Sequence, residues 1–131
     1  MTNGETDLSK LLAGMCPELR PEQFVYVVIN EEVPRELNAI GVFYEREGTT
    51  LILERSEAER FALPYTFPCR MITLNVHSSL DAIGFLAAIA NKLTERGISA
   101  NTVSAYYHDH LFVPCDRAEE ALAALRELSN V

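Results

Sequence analysis

Met71-Ile72-Thr73-Leu74-Asn75-Val76-His77-Ser78-Ser79 opens the stretch that decides how this chain folds. It runs on through an amphipathic segment to Arg96, then Gly97-Ile98-Ser99, then Tyr107-His108-Asp109-His110-Leu111-Phe112. Ile72, Leu74 and Val76 alternate with Met71, Thr73 and Asn75, which is the period of a half-buried strand. Ser78 or Ser79 stands where it can cap a following helix, and Ser78 with Asp81 makes a weak capping box. Ala82, Leu86, Ile89, Ala90 and Leu93 share one helical face, while Asn91, Lys92, Glu95 and Arg96 fall off it. The pattern predicts a helix from about Leu80 to Arg96 with Gly97 as its left-handed C-cap. Val103, Ala105 and Tyr107 then resume period two and lead into a short hairpin.

Upstream, residues 1–7 read as a frayed tail. Leu8, Leu11, Leu12 and Met15 share a face, which predicts a helix over residues 8–14 with Asp7 as N-cap and Gly14 and Pro17 as stops. Pro21 precedes a strand, Phe24 to Ile29, whose near-continuous apolar character predicts burial on both faces. A polar connection over residues 31–36 leads to a strand from Ala39 to Glu45. It has Ile40, Val42 and Tyr44 on one side. Glu47-Gly48 turns it back into Thr49 to Leu53. Ser56 with Glu59 reads as a capping box opening a helix to about Phe61. Pro64 and Pro68 read as bracketing a linker. Downstream, Asp116 with Glu119 caps a helix whose apolar stripe is Ala118, Ala121, Leu122, Leu125 and Leu128.

One spacing recurs. Leu51-Ile52-Leu53 aligns with Leu111-Phe112-Val113, Ser56 with Asp116, and Ala58-Glu59 with Ala118-Glu119. The chain therefore divides into two similar halves, 1–68 and 69–131, the first having lost its long helix. The second half ends without a clear last strand. Its sheet needs a strand from the first half, because an open buried edge leaves backbone groups unpaired.

Composition limits the function. The chain has 131 residues, 48% of them hydrophobic, which is enough for a core. A formal net charge of −8 argues against nucleic acid. No apolar run approaches the ~20 residues a membrane span needs. The polar N-terminus is no signal peptide. Cys16, Cys69 and Cys115 are too scattered for a disulfide framework or a zinc site and read as reduced thiols, which points to the cytoplasm.

Arg70-Met71-Ile72-Thr73-Leu74, His77-Ser78-Ser79-Leu80 and His108-Asp109-His110-Leu111-Phe112-Val113-Pro114 resemble the ACT domain, a βαββαβ regulatory module. They are most similar to small tandem-ACT proteins of unassigned function. The resemblance implies an α+β, ferredoxin-like fold in which two ACT-like halves share or complete each other's sheets. It also implies a small effector, often an amino acid, at the loop joining the first strand to the first helix, and side-by-side pairing into a homodimer.

The residues agree with that place. The first turn of a helix leaves N–H groups unpaired, and its dipole favours an anion. His77, Ser78, Ser79, Leu80, Ala82, Ile83 and Gly84 form the loop. Asn101, His108, Asp109 and His110 form the facing candidates, with Asp109 able to take an ammonium group. Ser78 as a plain cap and Gly84 as a plain packing residue is the structural alternative. His108 and His110 fall on one side if the segment is extended and Asp109 on the other, whereas in a tight turn all three converge. Two histidines and a carboxylate can hold a divalent metal, but the spacing fits no zinc motif, and Asp is at home in turns. No Gly-x-Ser-x-Gly elbow, phosphate loop or dinucleotide fingerprint appears. The expectation is a non-enzymatic regulatory or small-molecule-sensing protein with no cofactor, no nucleic acid and no membrane. The alternatives are a metal-binding protein or enzyme built on the His-Asp-His hairpin, or a ligand-free dimerisation scaffold.

Overall fold

The computed structural model describes residues 3–129. Its elements are α1 (Leu8–Gly14), β1 (Pro17–Ile29), β2 (Ala39–Tyr44), β3 (Thr49–Glu54), α2 (Arg55–Arg60), β4 (Thr66–Leu74), α3 (Phe85–Glu95), β5 (Asn101–Ser104), β6 (Asp109–Pro114) and α4 (Ala118–Ser129). A 3₁₀ turn, Cys115–Arg117, leads into α4. Among the described residues, no helix is long and apolar enough to cross a membrane.

The chain forms two compact units, residues 22–69 and the discontinuous set 1–21 with 70–131. In the smaller unit the strand order is β2–β3–β1–β4, and in the larger it is β1–β4–β6–β5. Each order is that of a ferredoxin-like sheet. In the larger unit, the opening residues of β1 stand where the fourth strand belongs. The expected completion of the second half from the first is thus what the sheet contains.

The two hairpins keep one register. Val42 faces Leu51, Phe43 faces Thr50 and Tyr44 faces Thr49. At the same offset, Thr102 faces Leu111, Val103 faces His110 and Ser104 faces Asp109. Their turns also match: the Glu45 amide donates to Gly48 O at 3.0 Å, and the Ala105 amide to His108 O at 3.0 Å. A repeat read from a few matched letters is therefore a repeat of pairing geometry.

The core of the larger unit joins Leu11, Met15, Ile72, Leu74, Phe85, Ile89, Leu93, Ile98, Leu111, Val113 and the α4 residues Ala118, Ala121, Ala124 and Leu125. Phe85, Ile89 and Leu93 recur every four residues, so one stripe of α3 faces the sheet. Ala90, assigned to that stripe from sequence, is exposed. Gly97 ends α3 with φ +67. The Ile98 amide donates to Leu93 O and the Gly97 amide to Thr94 O, both at 3.0 Å. This is the two-bond left-handed cap, and Ile98 enters the core behind it. Arg117 closes the same end, donating to Arg96 O at 2.9 Å and Gly97 O at 3.3 Å. In the smaller unit, Val25, Val27, Ile29, Leu51, Leu53 and Ala58 form the core.

Several expectations need correction. Met1 and Thr2 of the expected tail lie outside the described residues. Glu5, expected to fray, forms a bridge with Ser78. Asp7 does cap α1, accepting from the Lys10 amide at 3.1 Å. Strand β1 starts at Pro17 rather than Phe24. Its pairing with β3 begins only at Phe24, so Pro17 and Pro21 lie where that edge asks for no N–H donor. Val28 is 61% exposed, so β1 is not buried on both faces throughout. Pro68 lies inside β4 rather than in a linker, after a left-handed Phe67 with φ +57 that kinks the strand's start. Met71 and Thr73 are buried as well as Ile72 and Leu74, so β4 is covered on both faces. Ser56 is no N-cap: α2 begins at Arg55 after Glu54, with no side-chain cap. Tyr107 sits in the hairpin turn, beyond the end of β5.

Candidate functional site

The loop between β4 and α3 is longer than its capping signals suggest. Helix α3 starts at Phe85, not Leu80, and Gly84 precedes it with φ +90. Neither serine caps it. The Ser78 hydroxyl donates to Asp109 Oδ2 at 2.8 Å. Ser79 Oγ accepts from the Asp81 amide at 3.1 Å, and its carbonyl accepts from Ala82 at 3.0 Å. That local turn competes with the helix for the same residues. The chain reaches helical geometry only after the left-handed glycine.

No side chain caps α3. Its first intrahelical bond runs from the Ala88 amide to Gly84 O at 3.0 Å. The amides of Phe85, Leu86 and Ala87 precede that bond and form the positive end of the helix. Beside them lies a cavity of about 170 Å³. Ser78, Ser79, Leu80 and Ala82 from the loop line it, together with Gly84, Phe85, Leu86 and Ala87 at the helix start. Ser104 and Asp109, facing each other across the β5–β6 hairpin, complete it. Asp109 is 5% exposed and its carboxylate is held by Ser78. An uncapped helix start and a buried acid thus share one small space.

The other sequence candidates stand apart from this lining. Ile83 is 87% exposed. His77 packs its ring against Tyr106 and Tyr107, at centroid distances of 5.5 and 5.1 Å. Asn101 pairs with Phe112 at the far end of β5. Alternation along β6 carries His110 away from Asp109, and its Nδ1 is 3.0 Å from Thr73 Oγ1. His108 and His110 have ring centroids 6.4 Å apart. Among the described residues, no three His, Cys, Asp or Glu side chains gather to hold a metal ion. Sequence reasoning missed Phe85, Leu86, Ala87 and Ser104. The hairpin repeat contained the signal for Ser104, since it sets Ser104 opposite Asp109.

Burial, with the nearby His108 charge second, pushes the His110 imidazole below its ordinary value of 6.5. The neutral ring is thus favoured in the folded chain. His110 contributes stability fully above pH 6.5, and loses it as pH falls from 6.5 toward the lowered folded value. Urea midpoints measured between pH 8 and 5.5 are expected to decline below 6.5. The decline should be shallower in His110→Gln, which keeps a partner for Thr73. Equal slopes in the two proteins would contradict this.

The comparisons with known proteins follow the same architecture. No curated protein matches the chain. A Vibrio cholerae protein of unknown function, described as a possible transport protein, is 43% identical in sequence with a TM-score of 0.85, covering 93% of this chain and 95% of that one. An Agrobacterium tumefaciens protein is 15% identical with a TM-score of 0.66, covering 82% of this chain and 81% of its own. The ligand-free regulatory subunit of aspartate kinase from Thermus thermophilus is 8% identical with a TM-score of 0.65, covering 88% of this chain and 97% of that one. ACT-domain family models match residues 3–70 and residues 66–127. Matched over nearly its whole length by two such models in tandem, the chain belongs to the ACT-domain family.

Proposed function

We propose that this protein is a non-catalytic regulatory module of the cytoplasm that binds a small free amino acid in the cavity at the start of α3. The observation that carries the reading is the shared cavity. Its helix end suits an α-carboxylate, and its buried Asp109 suits an α-ammonium. At about 170 Å³ the space is close to the ~150 Å³ cavity that admits a benzene-sized guest, so the ligand's side chain is small. Leu80, Ala82 and Leu86 offer that side chain an apolar wall. Likeness in fold to the regulatory subunit of an aspartate kinase supports a regulatory role. The proposed partner is a second copy of the chain. Strand β2 ends the smaller unit's strand order and exposes Ile40, Val42, Phe43 and Tyr44 with no charged residue among them.

Thermal-shift measurements with each free amino acid test this reading. Small neutral amino acids are expected to raise the melting temperature, by an amount set by about 2.7 kcal/mol at a hundred times the dissociation constant. Large aromatic ones should leave it unchanged. A flat response to every amino acid would overturn the proposal.

A further inference from the structure

The ligand loop is held from outside by residues that the cavity does not contain. The Glu5 amide donates to His77 O at 2.8 Å, and the Ser79 amide donates to Glu5 O at 2.8 Å. These two bonds straddle Ser78, the residue whose hydroxyl holds Asp109. Gly4 lies so close that a Cβ there would meet His77 O, the Ser78 carbonyl carbon and Ser79 N at 2.9 Å each. Its φ is +88, a conformation that L side chains rarely take. Glu5 in turn folds its own carboxylate back, accepting from the Thr6 and Asp7 amides at 3.0 Å. Those bonds, Asp7 first, hold the carboxyl below its ordinary value. Asp7 then caps α1. Leu8, the first residue of α1, lies 3.7 Å from where a Gly84 Cβ would stand. One short segment therefore touches both ends of the loop, at His77–Ser79 and at Gly84.

On the opposite side the loop is tied to the hairpin by Ser78–Asp109 and by His77 against Tyr106 and Tyr107. That side is anchored to the paired β5–β6 ladder. The Gly4–Glu5 side is a single bridge outside any strand, the kind of contact that opens locally without global unfolding.

From this geometry we infer that residues 4–8 are a strap that positions the ligand loop, and that docking of the strap and filling of the cavity favour each other. The inference rests on the amino-acid reading above and adds its regulation. Gly4 and Glu5 are positioning residues: they set Ser78, and through it Asp109, without touching the ligand. By linkage, a ligand that needs the ordered loop also holds the strap down. Anything that captures the segment before α1 would weaken binding at the site by the same coupling.

The test uses the full chain and its Gly4→Val, Glu5→Pro and Glu5→Gln variants. Valine meets the loop backbone, and proline removes the N–H that His77 O accepts. Glutamine keeps both the amide and a side-chain acceptor. Amide exchange at Ser79 is read by NMR, and the affinity for the amino acid that gives the largest thermal shift is read by calorimetry. Gly4→Val and Glu5→Pro should each speed Ser79 exchange and weaken binding by roughly tenfold, the worth of one backbone hydrogen bond at the upper end of its range. Glu5→Gln should do neither. In the unaltered chain, added amino acid should slow exchange at both Glu5 and Ser79. If Gly4→Val loses Ser79 protection yet binds as tightly as before, or keeps that protection, the strap has no such role. If the unaltered chain binds no amino acid at all, the ligand reading itself fails, and with it the coupling.

Discussion

Asp109→Asn is expected to weaken amino-acid binding by about 10- to 100-fold while the fold survives. The arithmetic is that of one charge-assisted contact, about 1.5–3 kcal/mol. Asparagine keeps the shape and keeps an oxygen that can accept from Ser78, so the local packing persists. What goes is the negative charge of a side chain that is itself buried. Calorimetric titration of both proteins checks it. A dissociation constant within twofold of the original would mean that the ammonium group sits elsewhere. Asp109→Ala is the poorer test, because it also strands the buried Ser78 hydroxyl without its acceptor.

The second large effect is on stability. Leu125 on α4 has no exposed surface and packs in the core that holds Ile72, Leu74, Ile89 and Leu93. Leu125→Ala should cost about 2–5 kcal/mol, from lost burial and the cavity left behind. Val28→Ala, at a site 61% exposed, should change stability by less than about 0.5 kcal/mol. Urea denaturation resolves the two, with similar slopes and separated midpoints. Equal midpoints would mean that α4 does not close the core.

How far the sequence could be read depends on what kind of force set each feature. The α4 stripe, the Asp7 cap and the Gly97 cap are local, so their residues announce them. The hairpins were legible because a repeat fixes a register even when single strands are ambiguous. Proline ended α1 as read, since the helix stops at Gly14 before Pro17, but it misled twice further on. Pro21 is harmless on a strand with one unpaired side, and Pro68 is harmless after the left-handed Phe67. Neither context is visible before the strands are placed. The start of α3 was misplaced because Ser79 spends its side chain on a turn and Ser78 spends its own on an acid far away in sequence. The acid itself, Asp109, was named from sequence, as was most of the loop. The helix amides were expected five residues too early, so Phe85, Leu86 and Ala87 went unnamed. The strap was illegible altogether. Gly4 and Glu5 carry no periodicity, and their role is set by the backbone they meet.

The discontinuous larger unit has a consequence for synthesis. As the chain leaves the ribosome, residues 22–69 are all present early and can close on themselves. The opening residues through Pro21 belong with Arg70 onward, and must wait until those later residues have been translated before their sheet neighbours exist. Until then Leu11 and Met15 are exposed grease on a nascent chain, and the cavity at the start of α3 cannot close before residues as far as Asp109 have been made.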